Sequence, residues 1–174
     1  MTTGADAGST GPQPQGAGPV AALDPGSAKC GLVLSDGARQ RIVQALVVAP
    51  AEAERLLEAW RQELGLAAVV IGDGTGSGRW RERLADRLPV VWQRERGSTL
   101  AARDRYWQLF PPRGWRRCLP KGLRQPPRPW DDVVAQLLLE RWLGRELARE
   151  PEAWPRTGTG TGTGPGPIRT KRAP

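Results

Sequence analysis

Five short stretches of the chain have the apolar pattern of β-strands. They are residues 20–23, 30–35, 41–48, 66–71 and 89–93. An Asp-Pro-Gly turn follows the first stretch at Asp24, and an Asp-Gly hairpin signal follows the second at Asp36. The first three strands are therefore predicted to form an antiparallel meander. Residues 66–71 are apolar throughout, which is typical of a strand that is buried on both faces between parallel neighbours.

Four further stretches carry apolar residues at helical spacing. They cover residues 50–65, 78–88, 98–110 and 131–148. Pro50 and Gly65 mark the two ends of the first helix, and Ser98 is suited to cap the third. The order β-β-β-α-β-α-β-α-α predicts an α/β fold with a mixed five-stranded sheet flanked by helices. We expect the fourth and fifth strands to run parallel to the first, through right-handed crossovers.

The two ends of the chain have the composition of disordered segments. Residues 1–19 are rich in Gly, Pro, Ser, Thr and Ala, and residues 151–174 contain a Thr-Gly repeat. Neither end shows apolar periodicity, so neither is expected to contribute to a packed core. The sequence predicts a disordered leader at 1–19, one folded domain at 20–150 and a low-complexity tail at 151–174.

Composition excludes several kinds of chemistry. The chain has no histidine, which removes Ser-His-Asp and Cys-His catalysis and zinc sites that contain histidine. The two cysteines, Cys30 and Cys118, form no CxxC pair and suggest no disulfide framework. No secretory signal and no run of 18 apolar residues is present, so we expect a cytoplasmic protein without a membrane span. Catalysis, if any, would depend on carboxylates, arginines and a bound ion.

Positive charge is concentrated in the second half of the predicted domain. The formal net charge of the chain is +8, and between Arg79 and Arg128 fourteen basic residues stand against four acidic ones. This excess favours a polyanionic partner, most often nucleic acid, although a genome biased towards arginine codons would give a similar composition. We expect a monomer or a homodimer.

A basic, proline-rich loop at 111–129 interleaves arginines with tryptophan. Arginines grip phosphates, and an aromatic ring stacks on an unpaired base. The alternative is a solvated basic loop with its tryptophan packed onto the domain. The predicted nucleic-acid contacts in this loop are Arg113, Trp115, Arg116, Arg117, Lys121 and Arg124.

Three acidic residues are predicted to meet at one edge of the sheet. Asp24 ends the first strand, Glu95 follows the fifth, and Asp131 begins the last helix. Ligands of open α/β sheets bind outside the carboxyl ends of the strands. Crowded carboxylates favour a divalent ion, and ligands that are all oxygen select Mg²⁺ or Mn²⁺.

Each of these acids also has an ordinary interpretation. Asp24 would serve a turn, Glu95 would pair with a neighbouring arginine, and Asp131 would cap a helix. Asp132 competes with Asp131 for either role.

Several segments together resemble the YqgF family, also called RuvX, of RuvC-like nucleases in the ribonuclease H superfamily. The matching segments are ALDPGSAKCGLVLSDG, VVIGDGTGS, QRERGSTLAARDRYW and PPRPWDDVVAQLLLERWL. The long insert before the last segment is similar to the version found in cyanobacteria. The resemblance implies a ribonuclease H-like fold with strand order 3-2-1-4-5, and metal-binding and catalytic acids at Asp24, Glu95 and Asp131.

The same resemblance implies a nuclease that matures the 5′ end of pre-16S rRNA, with RNA favoured over DNA. Resolution of Holliday junctions is the alternative activity, and a non-catalytic nucleic-acid-binding or ribosome-associated module is a second alternative. Two positions depart from the family pattern. Arg94 replaces the usual acid before Glu95, and Asp73 stands in a Gly-Asp-Gly-Thr sequence where Asn is common. Asp73 is a candidate for a fourth, outer metal ligand, unless it only caps the glycine loop or the next helix.

Overall fold

A computed structural model describes residues 17–74, 76–84, 87–93 and 98–151. The strands are β1 Val20–Asp24, β2 Cys30–Ser35, β3 Arg41–Val48, β4 Ala68–Gly72, β5 Val90–Gln93 and β6 Ala148–Arg149. The helices are α1 Pro50–Leu64, α2 Ser77–Leu84, α3 Ser98–Leu109 and α4 Asp131–Leu143, and two 3₁₀ turns cover Gly114–Cys118 and Lys121–Leu123.

The strands form one mixed sheet in the order β5-β4-β1-β2-β3-β6. Strand β2 is antiparallel to both of its neighbours, β1 and β3, whereas β4 is parallel to β1 and β5 is parallel to β4. The predicted order 3-2-1-4-5 and the predicted strand directions are therefore confirmed, and the fold is ribonuclease H-like.

The end of the domain differs from the prediction. Helix α4 was expected to continue to residue 148, but it ends at Leu143 because Gly144 adopts the left-handed conformation, with φ 69°. The chain then adds β6 alongside β3 as a parallel sixth strand. Smaller differences also occur, since β4 begins at Ala68 and not at residue 66, and α2 ends at Leu84 and not at residue 88. No helix within the described ranges is long and apolar enough to cross a membrane.

Alternate residues of each central strand pack on opposite faces of the sheet. Ala21 and Leu23 of β1 join a core with α1 and α2, whereas Val20 and Ala22 join a second core with α4. By this alternation, Asp24 lies on the face that α4 covers. Two-sided burial of this kind requires apolar residues at nearly every strand position, as β1 and β4 show.

Helix α4 carries a buried polar face as well as an apolar one. Asp132, Gln136 and Glu140 are successive positions four residues apart, and all three are buried. Arg149 of β6 donates to Asp132 Oδ2 at 2.7 Å and to Gln136 Oε1 at 2.6 Å. Arg105 of α3 binds both carboxylate oxygens of Glu140. The buried charges are thus paired and hydrogen-bonded, which is the condition under which proteins accommodate them.

The first turn of α4 lies directly against β2 at Gly31. A Cβ atom added to Gly31 would lie 1.9 Å from the carbonyl oxygen of Asp131 and 2.8 Å from the nitrogen of Asp132. Real atoms never approach so closely, so this contact between helix and strand requires glycine. Gly31 is also the pairing partner of Asp24 in the sheet. The glycine therefore sets how near the start of α4 comes to the end of β1.

We expect Gly31→Ala to destabilise the domain by about 1–3 kcal/mol, because the added methyl group must push α4 away from the sheet. Gly37→Ala is the matched control, since a Cβ at Gly37 would meet nothing within 4 Å. It should change the free energy of unfolding by less than about 0.5 kcal/mol. Urea denaturation measures both, and equal stability of the two variants would contradict the close contact.

Candidate metal and nucleic-acid site

Asp24 is the last residue of β1, at the carboxyl edge of three parallel strands. Pro25 and Gly26 follow it and turn the chain sharply into β2. In the sheet, Leu23 pairs with Ile71, and Gly72 pairs with Gln93. Since Gly72 follows Ile71 just as Asp24 follows Leu23, the last residues of β1, β4 and β5 lie in one row across the sheet. Asp24 is half-buried in that row, on a strand whose other side chains are fully buried.

Asp131 comes to the same place from the start of α4. Its backbone lies on Gly31, the residue paired with Asp24, so two elements far apart in sequence bring their carboxylates to one corner of the sheet. The side chain of Asp131 is 22% exposed, and its Oδ2 atom is buried and accepts no hydrogen bond from the described residues. A buried carboxylate oxygen without a hydrogen bond is costly unless a cation lies close to it.

A cation does lie close to this oxygen. The Lys29 ammonium is 3.0 Å from Asp131 Oδ2, in an ion pair that lacks hydrogen-bond geometry. Lys29 belongs to the turn between β1 and β2, and its side chain is about half exposed. The corner thus already accommodates positive charge.

The thiol of Cys30 responds to both carboxylates. Burial raises the pKa of Cys30, and the negative charges of Asp24 and Asp131 raise it further. A hydrogen bond to the Gly26 carbonyl, at 3.7 Å, acts in the opposite direction. Both carboxylates therefore lie near enough to Cys30 to act on its thiol.

The other predicted ligands occupy different positions. Glu95 lies outside the described residues, two positions after Gln93, so its role stays a prediction. Asp73 follows the end of β4, is exposed, and donates its backbone N–H to the Gln93 carbonyl at 3.1 Å. It lies one residue beyond the row that contains Asp24. Its role as an outer ligand also stays a prediction.

Asp132 points into the domain, away from the corner occupied by Asp131. Arg128 binds Asp132 Oδ1 at 2.9 Å, and Arg149 binds Oδ2 at 2.7 Å. Burial acts to raise the pKa of Asp132, but the hydrogen bond from Arg128 and the charge of Arg149 outweigh it and lower the pKa. Both carboxylate oxygens of Asp132 accept hydrogen bonds inside the domain, which favours Asp131 over Asp132 as the metal ligand.

The donor set fits a hard divalent ion. Within the ranges that the structure describes, no three acidic, cysteine or histidine side chains group closely enough to hold a metal. Among the described residues, Asp24 and Asp131 supply the carboxylate oxygens at this corner, and Asp131 Oδ2 accepts no hydrogen bond but lies beside the Lys29 ammonium. Such oxygens suit Mg²⁺ or Mn²⁺, with the remaining positions filled by water and by a substrate phosphate.

The basic loop between α3 and α4 has more structure than its prolines suggest. It contains two 3₁₀ turns. Arg124 is half-buried and donates to the carbonyls of Leu119 and Arg117, so it helps to hold the loop together. Its contact with nucleic acid stays a prediction. The loop also lies against α3, where Trp107 donates to the Arg124 carbonyl.

The outer side of this loop presents the other predicted contacts. Trp115 is 68% exposed, with the Arg116 guanidinium 5.4 Å from its ring centre. Arg113 and Arg117 are exposed and line a cavity of about 460 Å³ together with two prolines. The side chain of Lys121 lies outside the described part. The alternative in which Trp115 packs onto the domain does not occur.

Sequence reasoning missed two contributors to the site, Lys29 and Gly31. Both lie in the segment Lys-Cys-Gly directly after the turn at Asp24, but neither has a distinctive pattern. Only the approach of α4 in three dimensions gives them a role.

The comparisons with known proteins give structural similarity only. No protein-family model matches the chain, and no curated protein matches it. One similar structure is T. thermophilus RuvC in complex with a Holliday junction substrate, at 20% identity and TM-score 0.44, over 72% of this chain and 94% of that one. A second RuvC structure from Thermus thermophilus has 19% identity and TM-score 0.38, over 72% and 96%.

A third similar structure is the nuclease domain of the large terminase subunit gp2 of bacterial virus Sf6, a K428A mutant with manganese and beta-thujaplicinol. It has 16% identity and TM-score 0.38, over 81% of this chain and 66% of that one. All three TM-scores are below 0.5, so the fold assignment depends on the strand order and directions of this chain alone.

Proposed function

We propose that this protein is a divalent-metal-dependent nuclease that hydrolyses phosphodiester bonds in structured nucleic acid. One observation carries the proposal. The start of α4 lies on Gly31, the partner of Asp24, and brings the buried, unbonded Oδ2 of Asp131 to the carboxyl edge of the sheet. Buried charges in proteins are paired or coordinate metals, and this carboxylate already lies beside one cation, the Lys29 ammonium.

The roles follow from the positions of these side chains. Bound divalent ions would activate a water molecule and stabilise the leaving oxygen of the phosphodiester. Asp24 is fixed by a buried strand, and Asp131 is fixed by the first turn of a buried helix. Both carboxylates are therefore held by rigid elements, which makes a precise metal-ligand geometry possible. Glu95 would complete the set from beyond β5. Lys29 would leave Asp131 and become available to a phosphate.

For the substrate we propose RNA, and in particular the 5′ end of pre-16S rRNA, on the basis of the family resemblance. Two alternatives remain. One is a resolvase-like endonuclease that acts on DNA junctions. The other is a non-catalytic nucleic-acid-binding module, which Arg94 beside Glu95 favours because it replaces an acid with a positive charge.

A cleavage assay separates these possibilities. Purified protein is incubated with labelled pre-rRNA or with a four-way DNA junction, in Mg²⁺, Mn²⁺ or EDTA. Cleavage of the RNA with a metal supports the proposal, and preferential cleavage of the junction supports the resolvase alternative. Binding without cleavage under every metal supports the non-catalytic module.

Asp24→Asn and Asp131→Asn should each lower the cleavage rate by at least about 100-fold, since even the outer partners of metal ligands are worth 10- to 100-fold. Both variants should remain folded, because neither carboxylate belongs to the buried network of α4. Single-turnover cleavage and thermal unfolding measure the two effects.

Two control variants give this experiment its specificity. Asp104→Asn removes an exposed acid of α3 and should leave cleavage unchanged. Asp132→Asn leaves two arginines facing a neutral side chain in the interior, so it should cost about 3–5 kcal/mol of stability. Equal destabilisation by Asp131→Asn and Asp132→Asn, or unchanged cleavage after Asp24→Asn, would contradict the assignment.

Trp115→Ala should weaken binding to single-stranded RNA by about 5- to 100-fold, the range expected for the loss of one stacked base. Leu123→Ala is the matched control, because it removes a similarly exposed apolar side chain from the same loop, at 66% exposure, without an aromatic ring. Fluorescence anisotropy at low salt measures both. Equal affinities of the two variants would show that the ring does not stack on a base.

A further inference from the structure

A second basic cavity opens at the same edge of the sheet, on the face opposite α4. Its volume is about 550 Å³. The walls come from the turn after Asp24, from the glycine loop after β4 and from α2, and they include Gly26, Ser27, Gly76, Arg79, Trp80 and Arg83. The cavity therefore borders the candidate metal corner through Pro25, the residue next to Asp24.

The cavity has a fixed wall because the turn and the glycine loop pack tightly together. A Cβ added to Gly76 would lie 2.9 Å from the Pro25 carbonyl oxygen and 3.3 Å from the Pro25 Cβ. Trp80 is buried beneath the arginines and anchors α2 to the core. The glycines on the rim leave the backbone uncovered, so a ligand with a bulky backbone of its own can come close.

The charge of the cavity is positive. None of the described residues that line it is acidic, whereas Arg79 and Arg83 lie one helical turn apart on α2 and share one side of that helix. Arg83 is held by Glu54 of α1 at 2.9 Å, and the same Glu54 also lies 3.9 Å from Arg87. Arg79 is exposed and pairs with no carboxylate among the described residues. One arginine is thus fixed by a partner and the other is available for a ligand.

We propose that this cavity binds a backbone phosphate of the nucleic-acid strand that is adjacent to the phosphate at Asp24 and Asp131. Guanidinium groups match phosphate oxygens in charge and in their planar, forked geometry. The inference rests on the proposed function, because it assigns a second contact to the same substrate. It also defines the path of the nucleic-acid strand over the protein. The strand would run from the basic loop on the α4 side, across the carboxyl edge of the sheet, to α2 on the other side.

The inference predicts a specific change in the salt dependence of binding. For single strands, log K falls with log salt at about −0.7 per phosphate contact. Arg79→Gln should reduce the magnitude of that slope by about 0.7 and weaken binding about five- to tenfold at low salt. Anisotropy with labelled single-stranded RNA in EDTA, over a series of salt concentrations, measures the slope without cleavage.

Arg81→Gln is the matched control. Arg81 belongs to the same helix and carries the same charge, but its guanidinium stacks on Trp92 at 4.6 Å and does not line the cavity. Its slope should match that of the unmodified protein. Identical slopes for the Arg79 and Arg81 variants would overturn the inference.

Gly78→Asp tests the cavity independently of the arginines. A Cβ at Gly78 would meet nothing within 4 Å, and an acid in the first turn favours the helix, so the variant should fold at least as well as the unmodified protein. Its carboxylate would nevertheless repel a phosphate at the rim and weaken RNA binding at least fivefold. Unchanged binding would overturn the inference.

The failure of this inference is distinguishable from the failure of the proposed function. If the unmodified protein binds and cleaves RNA while the Arg79→Gln and Gly78→Asp variants bind as it does, only the second phosphate contact is wrong. If the unmodified protein binds no RNA at low salt, both the proposed function and the phosphate contact are wrong.

Discussion

The close contact between the first turn of α4 and Gly31 is the constraint on which the candidate site depends. The contact removes every side chain between helix and strand at this point, and it leaves Asp131 beside the end of β1. Two carboxylates at one corner repel each other, so the arrangement is stable only with positive charge nearby. The Lys29 ammonium, 3.0 Å from Asp131 Oδ2, supplies positive charge there.

The buried polar face of α4 keeps this contact in place. Asp132 and Glu140 are tied to arginines from the loop before α4, from β6 and from α3, so the helix is fixed along its length. The adjacent residues Asp131 and Asp132 therefore have different roles. Both carboxylate oxygens of Asp132 accept hydrogen bonds from arginines that hold α4 in place. Asp131 makes no such bonds to them and lies at the surface of the corner.

The apolar pattern and the turns are local signals, and they allowed five strands, the antiparallel meander and the parallel direction of β4 and β5 to be predicted. The strand order came from the family resemblance and not from these local signals. The sequence also placed Asp24 and Asp131 at element ends. The sixth strand was missed because two residues give no period, and its position depends on the left-handed turn at Gly144. The hydrogen bonds of Arg124 to backbone carbonyls were not predicted either, because they depend on how the loop folds.

The central claim is that Asp24 and Asp131 together hold a divalent ion at the carboxyl edge of the sheet. A crystal structure of the protein soaked in Mn²⁺ tests it most directly, by anomalous scattering. We expect density within about 2.0–2.6 Å of a carboxylate oxygen from each residue, with the Lys29 ammonium displaced from Asp131. A structure at saturating Mn²⁺ with no density at this corner, and with Lys29 still paired to Asp131, would contradict it.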